Sequence, residues 1–267
     1  MIGQRIATAV VLAVLLIGAI VLLPARILVL ALGVVFLGGF WEWAGFDGHA
    51  FGVRRLPLVV IGAAALGATY FYVFVTGGSP LPLLLAAAIW WLIALVWVVR
   101  YPTPVPRWAV LGCAFVVLVP AWLGLSLLLS RAHDGGLWLL AAFVLVWAAD
   151  TGAYFCGRAF GRHKLAPAVS PGKTWEGVLG GAALATAVAA VGAVFLHVDP
   201  FLFALVTVPI VLASVVGDLI VSLFKRNAGL KDSGRLFPGH GGILDRLDSI
   251  CAAAPLLALV LLVTELG

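Results

Sequence analysis

Three aspartates and a group of cations are the residues of this chain best suited to chemistry. Asp218 lies in Val215-Val216-Gly217-Asp218-Leu219-Ile220-Val221. A carboxylate with apolar neighbours on both sides is costly unless it is paired, coordinated or able to snorkel to water. Asp245 and Asp248 are three residues apart, so both project from one face of a helix starting there. Lys225, Arg226, Lys231, Arg235 and Arg246 surround them, and Asp232 follows Lys231. The stretch Ser222 to Asp248 holds eight charged residues in 27 positions, in a chain that is only 10% charged. Carboxylates set among cations suit a site that holds a divalent metal and phosphate together. The competing reading is a solvated loop between membrane helices, where Lys and Arg are common. For the aspartate pair it is a pair of acids favoured at a helix N-terminus.

A second group lies upstream. Asp150 follows a run of thirteen apolar residues, which makes it hard to read as an ordinary surface acid. Arg158, Arg162 and Lys164 follow it and fit positive-inside charge. Ser170-Pro171-Gly172-Lys173-Thr174-Trp175-Glu176-Gly177 has the form of a helix start, with Ser170 as N-cap and Pro171 in the first helical position. Free amides at such an end attract anions, and Lys173 adds a charge. A P-loop is excluded, because Pro167 stands where that motif needs its first Gly and no strand precedes. His240 lies in Pro238-Gly239-His240-Gly241-Gly242, where glycines allow a tight turn or a close backbone approach to a ligand. A lone His in a turn is more often structural. Trp41-Glu42-Trp43 reads as an interfacial aromatic belt, and Trp90, Trp91 and Trp97 read as packing or interface residues.

The elements that must position these groups are membrane helices. The chain of 267 residues is 64% hydrophobic, with a mean hydropathy of +1.21, and apolar runs recur along its length. It is expected to be one all-α polytopic membrane domain, 1–267, with no room for a separate soluble one. Within it, 1–136 would be scaffold and 137–267 would carry the chemistry. Nine apolar segments are expected: 6–23, 27 to about 45, 58–75, 81–99, 108–129, 137 to about 156, 177–196, 201–224 and about 243–263. Each is long enough to span as a helix, and helix is required because backbone groups in lipid must be satisfied internally. The first segment is too long for a signal-peptide core and lacks a clear cleavage site. A polar loop is expected over 157–176. The 31 glycines suit helix packing in lipid, where small residues replace the hydrophobic drive. Cys113, Cys156 and Cys251 are isolated from one another and read as packing residues, with no disulfide framework.

Alternating the loops between two faces puts fourteen of the sixteen Lys and Arg residues on the N-terminal face, leaving Arg26 and Arg131 opposite. That asymmetry predicts a cytoplasmic N-terminus and an external C-terminus. It also gathers Asp150, Asp218, Asp245 and Asp248 at the cytoplasmic surface. The net charge of +5 is then a basic membrane face, not a nucleic-acid surface.

The C-terminal stretch resembles the signature of the phosphatidate cytidylyltransferases, or CDP-diacylglycerol synthases. The matching residues are Ser222, Lys225-Arg226, Lys231-Asp232, Pro238, His240-Gly241-Gly242, Asp245-Arg246 and Asp248. The family's central segment is matched from Asp150-Thr151-Gly152-Ala153-Tyr154 to Lys164-Leu165-Ala166-Pro167, and its Ser-Pro-x-Lys-Thr-x-Glu-Gly motif from Ser170 to Gly177. Many relatives carry Lys where this chain has Gly172, so one basic contact is absent. The resemblance implies CMP transfer from CTP to phosphatidate, giving CDP-diacylglycerol and pyrophosphate, at the cytoplasmic side of the inner membrane. It implies Mg²⁺, as one ion or two, on Asp218, Asp245 and Asp248, with catalytic roles for these and Lys231. Substrate contacts are implied for Asp150, Ser170, Lys173, Thr174, Ser222, Lys225, Arg226, Asp232, His240, Gly241, Gly242 and Arg246. Membrane lipids and a second copy of the chain, as a homodimer, are the implied partners. Two other readings stay open: a nucleotidyltransferase or kinase acting on another lipid, and an ion-coupled transporter using Asp150 and Asp218.

Overall fold

The computed structural model describes residues 2–47, 52–102, 105–131, 134–234, 236 and 241–264. Among them the chain forms nine α-helices and one β-hairpin. The helices are α1 (Ile2–Leu22), α2 (Ala25–Trp43), α3 (Leu56–Tyr70), α4 (Leu81–Arg100), α5 (Arg107–Leu129), α6 (Gly135–Phe160), α7 (Trp175–Leu196), α8 (Pro200–Asn227) and α9 (Leu244–Val263). Short 3₁₀ turns follow α2 and precede α3, and a π-helical turn, Phe71–Val75, extends α3. With those extensions α2 to α9 are each long and apolar enough to cross a membrane, and α1 contributes a shorter apolar run, Ala13–Leu22. The all-α polytopic architecture expected from the sequence is the one observed.

The helix ends follow local chemistry. Proline occupies the first turn of α3, α4 and α8, where its missing N–H costs nothing. Asp199 caps α8 by accepting from the Leu202 amide at 2.6 Å. His197 ends α7 in the left-handed region.

One expectation is corrected here. The segment 157–176 is not a polar loop. α6 runs on to Phe160, and β1 (Lys164–Ala166) and β2 (Ser170–Thr174) pair antiparallel, with Lys164 opposite Thr174 and Ala166 opposite Ser170. Ser170 therefore lies in a strand and is no N-cap. Thr174 takes that role, its Oγ1 accepting from the Gly177 amide at 3.1 Å.

α5 and α9 form the centre, and α3, α4 and α7 turn most of their surface outward. Small residues set the closest approaches, as helix packing in lipid requires. A Cβ at Gly124 of α5 would meet the Ala254–Pro255 backbone of α9 at 2.7 Å. One at Gly152 of α6 would meet the Gly180 carbonyl of α7 at 2.5 Å, and one at Gly217 of α8 the Asp248 carbonyl of α9 at 2.5 Å. The belt reading of Trp43 is also corrected: its side chain is fully buried, and its indole N–H donates to the Val110 carbonyl of α5 at 2.7 Å.

Candidate active site

Two lysine–aspartate pairs lie along the C-terminal half of α8, one joining it to the hairpin and one to the start of α9. Lys173, on β2, sits against α8, its Nζ 2.7 Å from Asp218 Oδ2. The other oxygen of Asp218 accepts from Ser222 one helical turn on, at 3.2 Å. A second turn further, buried Lys225 reaches across to α9, its Nζ 2.7 Å from Asp245 Oδ1. The spacing of Asp218, Ser222 and Lys225 puts all three on one face of α8. Asp248 lies one turn beyond Asp245 on α9 and interacts electrostatically with Asp218, Lys225 and Lys173. Asp150 of α6 completes the group from the other side, within electrostatic reach of Asp218, Lys173 and the exposed Arg246. Asp150, Lys173 and Thr174 line a cavity of about 210 Å³ between α6, α7 and α8, with Val178, Val211 and Val215 as its apolar wall.

Asp245 is held differently from Asp218. Its Oδ2 accepts from the Ser233 amide at 2.8 Å and the Gly242 amide at 2.9 Å, and the Ser233 hydroxyl lies 2.9 Å away. With Lys225 on Oδ1, both oxygens are engaged by the protein. Gly241, beside it, has a positive φ of 75°, a conformation that suits glycine, and a Cβ there would strike Asp245 Oδ2. Among the described residues no three His, Cys, Asp or Glu side chains come close enough to hold an ion. Asp248, by contrast, accepts on Oδ1 from the next amide, Ser249, at 2.8 Å, and among the described residues from no other donor.

The remaining expected residues divide. Arg226, Lys231 and Asp232 are exposed, and the last two line a larger cleft, about 820 Å³, with Trp41, Glu42, Arg55 and Ser233. Ser170 is half-buried in β2, and Thr174 is buried with its hydroxyl committed to capping α7. His240 lies outside the described residues. The hairpin carrying Lys173 is tied to α7 by Glu176, which accepts from the His163 amide at 3.2 Å and meets its Nδ1 at 2.6 Å.

Sequence reasoning missed Glu42. It is buried at the end of α2 and accepts from the Ile243 and Leu244 amides, each at 2.9 Å, and from the Ser233 hydroxyl at 2.7 Å. The signal was present, since an acid closing a long apolar run invites a partner. Its flanking tryptophans suggested an interface instead.

Taken together, these groups offer a phosphate-bearing ligand two lysines held by aspartates, a third carboxylate, Asp248, within electrostatic reach of Asp218, and an apolar wall on one side. Comparison with known proteins fits that chemistry. A profile of the "Cytidylyltransferase family" matches residues 3–264. The chain is 43% identical to "Phosphatidate cytidylyltransferase" of Pseudomonas aeruginosa over 268 residues, covering 98% of this chain and 97% of that protein. It is 41% identical to the protein of the same name from Haemophilus influenzae over 286 residues, covering 96% of each. A shorter match, 43% over 162 residues and 59% of this chain, joins it to the protein of that name from Staphylococcus epidermidis.

Proposed function

The chain belongs to the cytidylyltransferase family, and we propose that it transfers CMP from CTP to phosphatidate, giving CDP-diacylglycerol and pyrophosphate. The observation that carries the reading is the pair of 2.7 Å lysine–aspartate contacts, Lys173–Asp218 and Lys225–Asp245, at one end of a membrane bundle. A phosphate monoester is mostly dianionic near neutral pH, with a second pKa of about 6. The lipid phosphate is therefore already a nucleophile, and the site needs no strong general base. What it needs is charge neutralisation and in-line placement of two polyanions. Lys173 and Lys225 are fixed by their aspartates at points where phosphate oxygens can share them. Arg246 and Arg226 are exposed and able to meet the leaving pyrophosphate. The small cavity between α6, α7 and α8 combines Lys173 with an apolar wall, which suits a lipid headgroup.

The reading includes a divalent cation, Mg²⁺, held among Asp218, Asp245 and Asp248, with Asp218 and Asp248 as the pair within electrostatic reach of each other. Mg²⁺ usually takes one or two carboxylates and completes its shell with water and substrate phosphates, so two acids are a sufficient protein share. Asp245, held by Lys225, the Ser233 hydroxyl and the Ser233 and Gly242 amides, is the least open of the three. When bound, the ion would supply Lewis acidity at the CTP phosphates.

The Lys and Arg distribution supports a site facing the cytoplasm from the inner membrane. A homodimer belongs to the reading on the family resemblance alone. The test is incorporation of radiolabelled CTP into chloroform-soluble lipid by purified protein, with phosphatidate set beside an isoprenoid phosphate and a lipid alcohol. Label following phosphatidate is expected. Label following only another acceptor, or none, would sink the assignment.

A further inference from the structure

The end of α2 holds a carboxylate, Glu42, that is hydrogen-bonded to the residues around Asp245. We propose that Glu42 is a positioning residue for CMP transfer, acting through Ser233 and Asp245 on Lys225. This rests on the cytidylyltransferase reading above.

Four observations carry it. Glu42 is 6% exposed, and a buried carboxylate must be compensated. Its compensation comes from two points ten residues or more apart in sequence: the Ser233 hydroxyl, and the Ile243 and Leu244 amides. α9 has no side-chain cap of its own, so Glu42 is its cap from outside, satisfying free amides at the positive end of the helix. Gly234 and Gly242 both press on the same carboxylate, so that a Cβ at either would collide with it. Glu42 thus pins the two ends of the segment 233–244 together.

The same pin orients the ion pair. The Ser233 hydroxyl is 2.7 Å from Glu42 Oε2 and 2.9 Å from Asp245 Oδ2. It has one proton for two acceptors, and the shorter contact goes to Glu42. Asp245 then depends on the Ser233 and Gly242 amides, whose positions Glu42 fixes. Asp245 Oδ1 in turn holds Lys225. A displacement at Glu42 would pass to the Lys225 ammonium through two hydrogen-bonded groups.

Glu42→Gln tests this. The amide keeps one acceptor oxygen and turns a donor toward groups that are themselves donors. Two readouts are taken on the detergent-purified full chain. The first is kcat per folded molecule with CTP and phosphatidate. A fall of about 100-fold is expected, the scale of a small misplacement of reacting groups, with KM for CTP changed far less. The second is acetylation of Lys225 followed by peptide mass spectrometry, with exposed Lys164 as the internal standard. Lys225 should become several-fold more reactive relative to Lys164. A mere helix cap would lower yield and melting temperature while leaving kcat per folded molecule and Lys225 protection as they were, and either unchanged value overturns the proposal. Ser233→Ala, which removes only a hydroxyl, decides by the same two readouts if Glu42→Gln does not accumulate. If the wild type itself fails to turn over phosphatidate, the functional reading is lost, and Lys225 reactivity still decides the role of Glu42.

Discussion

At the scale of single residues, carboxylates of one type have been given different work. Asp218 holds Lys173 and Ser222, Asp245 holds Lys225, Ser233 and Gly242, and Asp248, within electrostatic reach of Asp218, accepts from the Ser249 amide. The Mg²⁺ dependence of the three asparagine variants should separate them. Asp218→Asn and Asp248→Asn should each raise the Mg²⁺ concentration for half-maximal turnover by at least ~10-fold. Asp245→Asn should depress turnover with that midpoint unmoved. A shifted midpoint for Asp245→Asn alone would reverse the assignment. Much of this site was legible in the sequence, because charge is conspicuous in an apolar chain: Asp150, Lys173, Asp218 and Lys225 all stood out. Their pairings were not legible. No pattern tells whether Lys225 meets Asp218, seven residues away in its own helix, or Asp245 in the next. Glu42 shows the same limit more strongly, since its partners lie 191 to 202 residues downstream.

At the scale of elements, the nine helices were readable from apolar runs and their proline and glycine boundaries. The hairpin was not. Ser170-Pro171 has the chemistry of a helix start, yet the cap falls four residues later at Thr174. Strand pairing with Lys164–Ala166 outweighs that local preference, and only tertiary contact reveals it. Thr174→Ala should therefore cost about 1 kcal/mol, read as a fall in melting temperature of about 2–4 °C, while Ser170→Ala should cost little. The α5–α9 crossing makes a sharper demand. Gly124→Leu puts a side chain into the Ala254–Pro255 backbone and should prevent accumulation of folded protein. Gly112→Leu in the same helix meets open space and should be tolerated, as monodispersity in size-exclusion chromatography would check.

At the scale of the whole molecule, the Lys and Arg asymmetry makes a prediction about sidedness. Cysteines at Gly172 and Leu236, in a chain with Cys113, Cys156 and Cys251 replaced, should react with an impermeant maleimide only from the cytoplasmic side. Both positions are exposed, whereas Ser233 is buried and would report its own packing. Labelling of either from outside would overturn the orientation. The tie between α2 and α9 also has a consequence in time. Leu244 follows Glu42 by 202 residues, so at roughly 5–20 residues per second the ribosome needs about 10–40 s to make the partner. A chain terminated between Lys225 and Ile243 carries Lys173, Asp218 and Lys225, but not the amides that Glu42 caps. Completion of synthesis is then also the act that arms the enzyme, and a prematurely terminated product reaching the membrane has no means of consuming CTP.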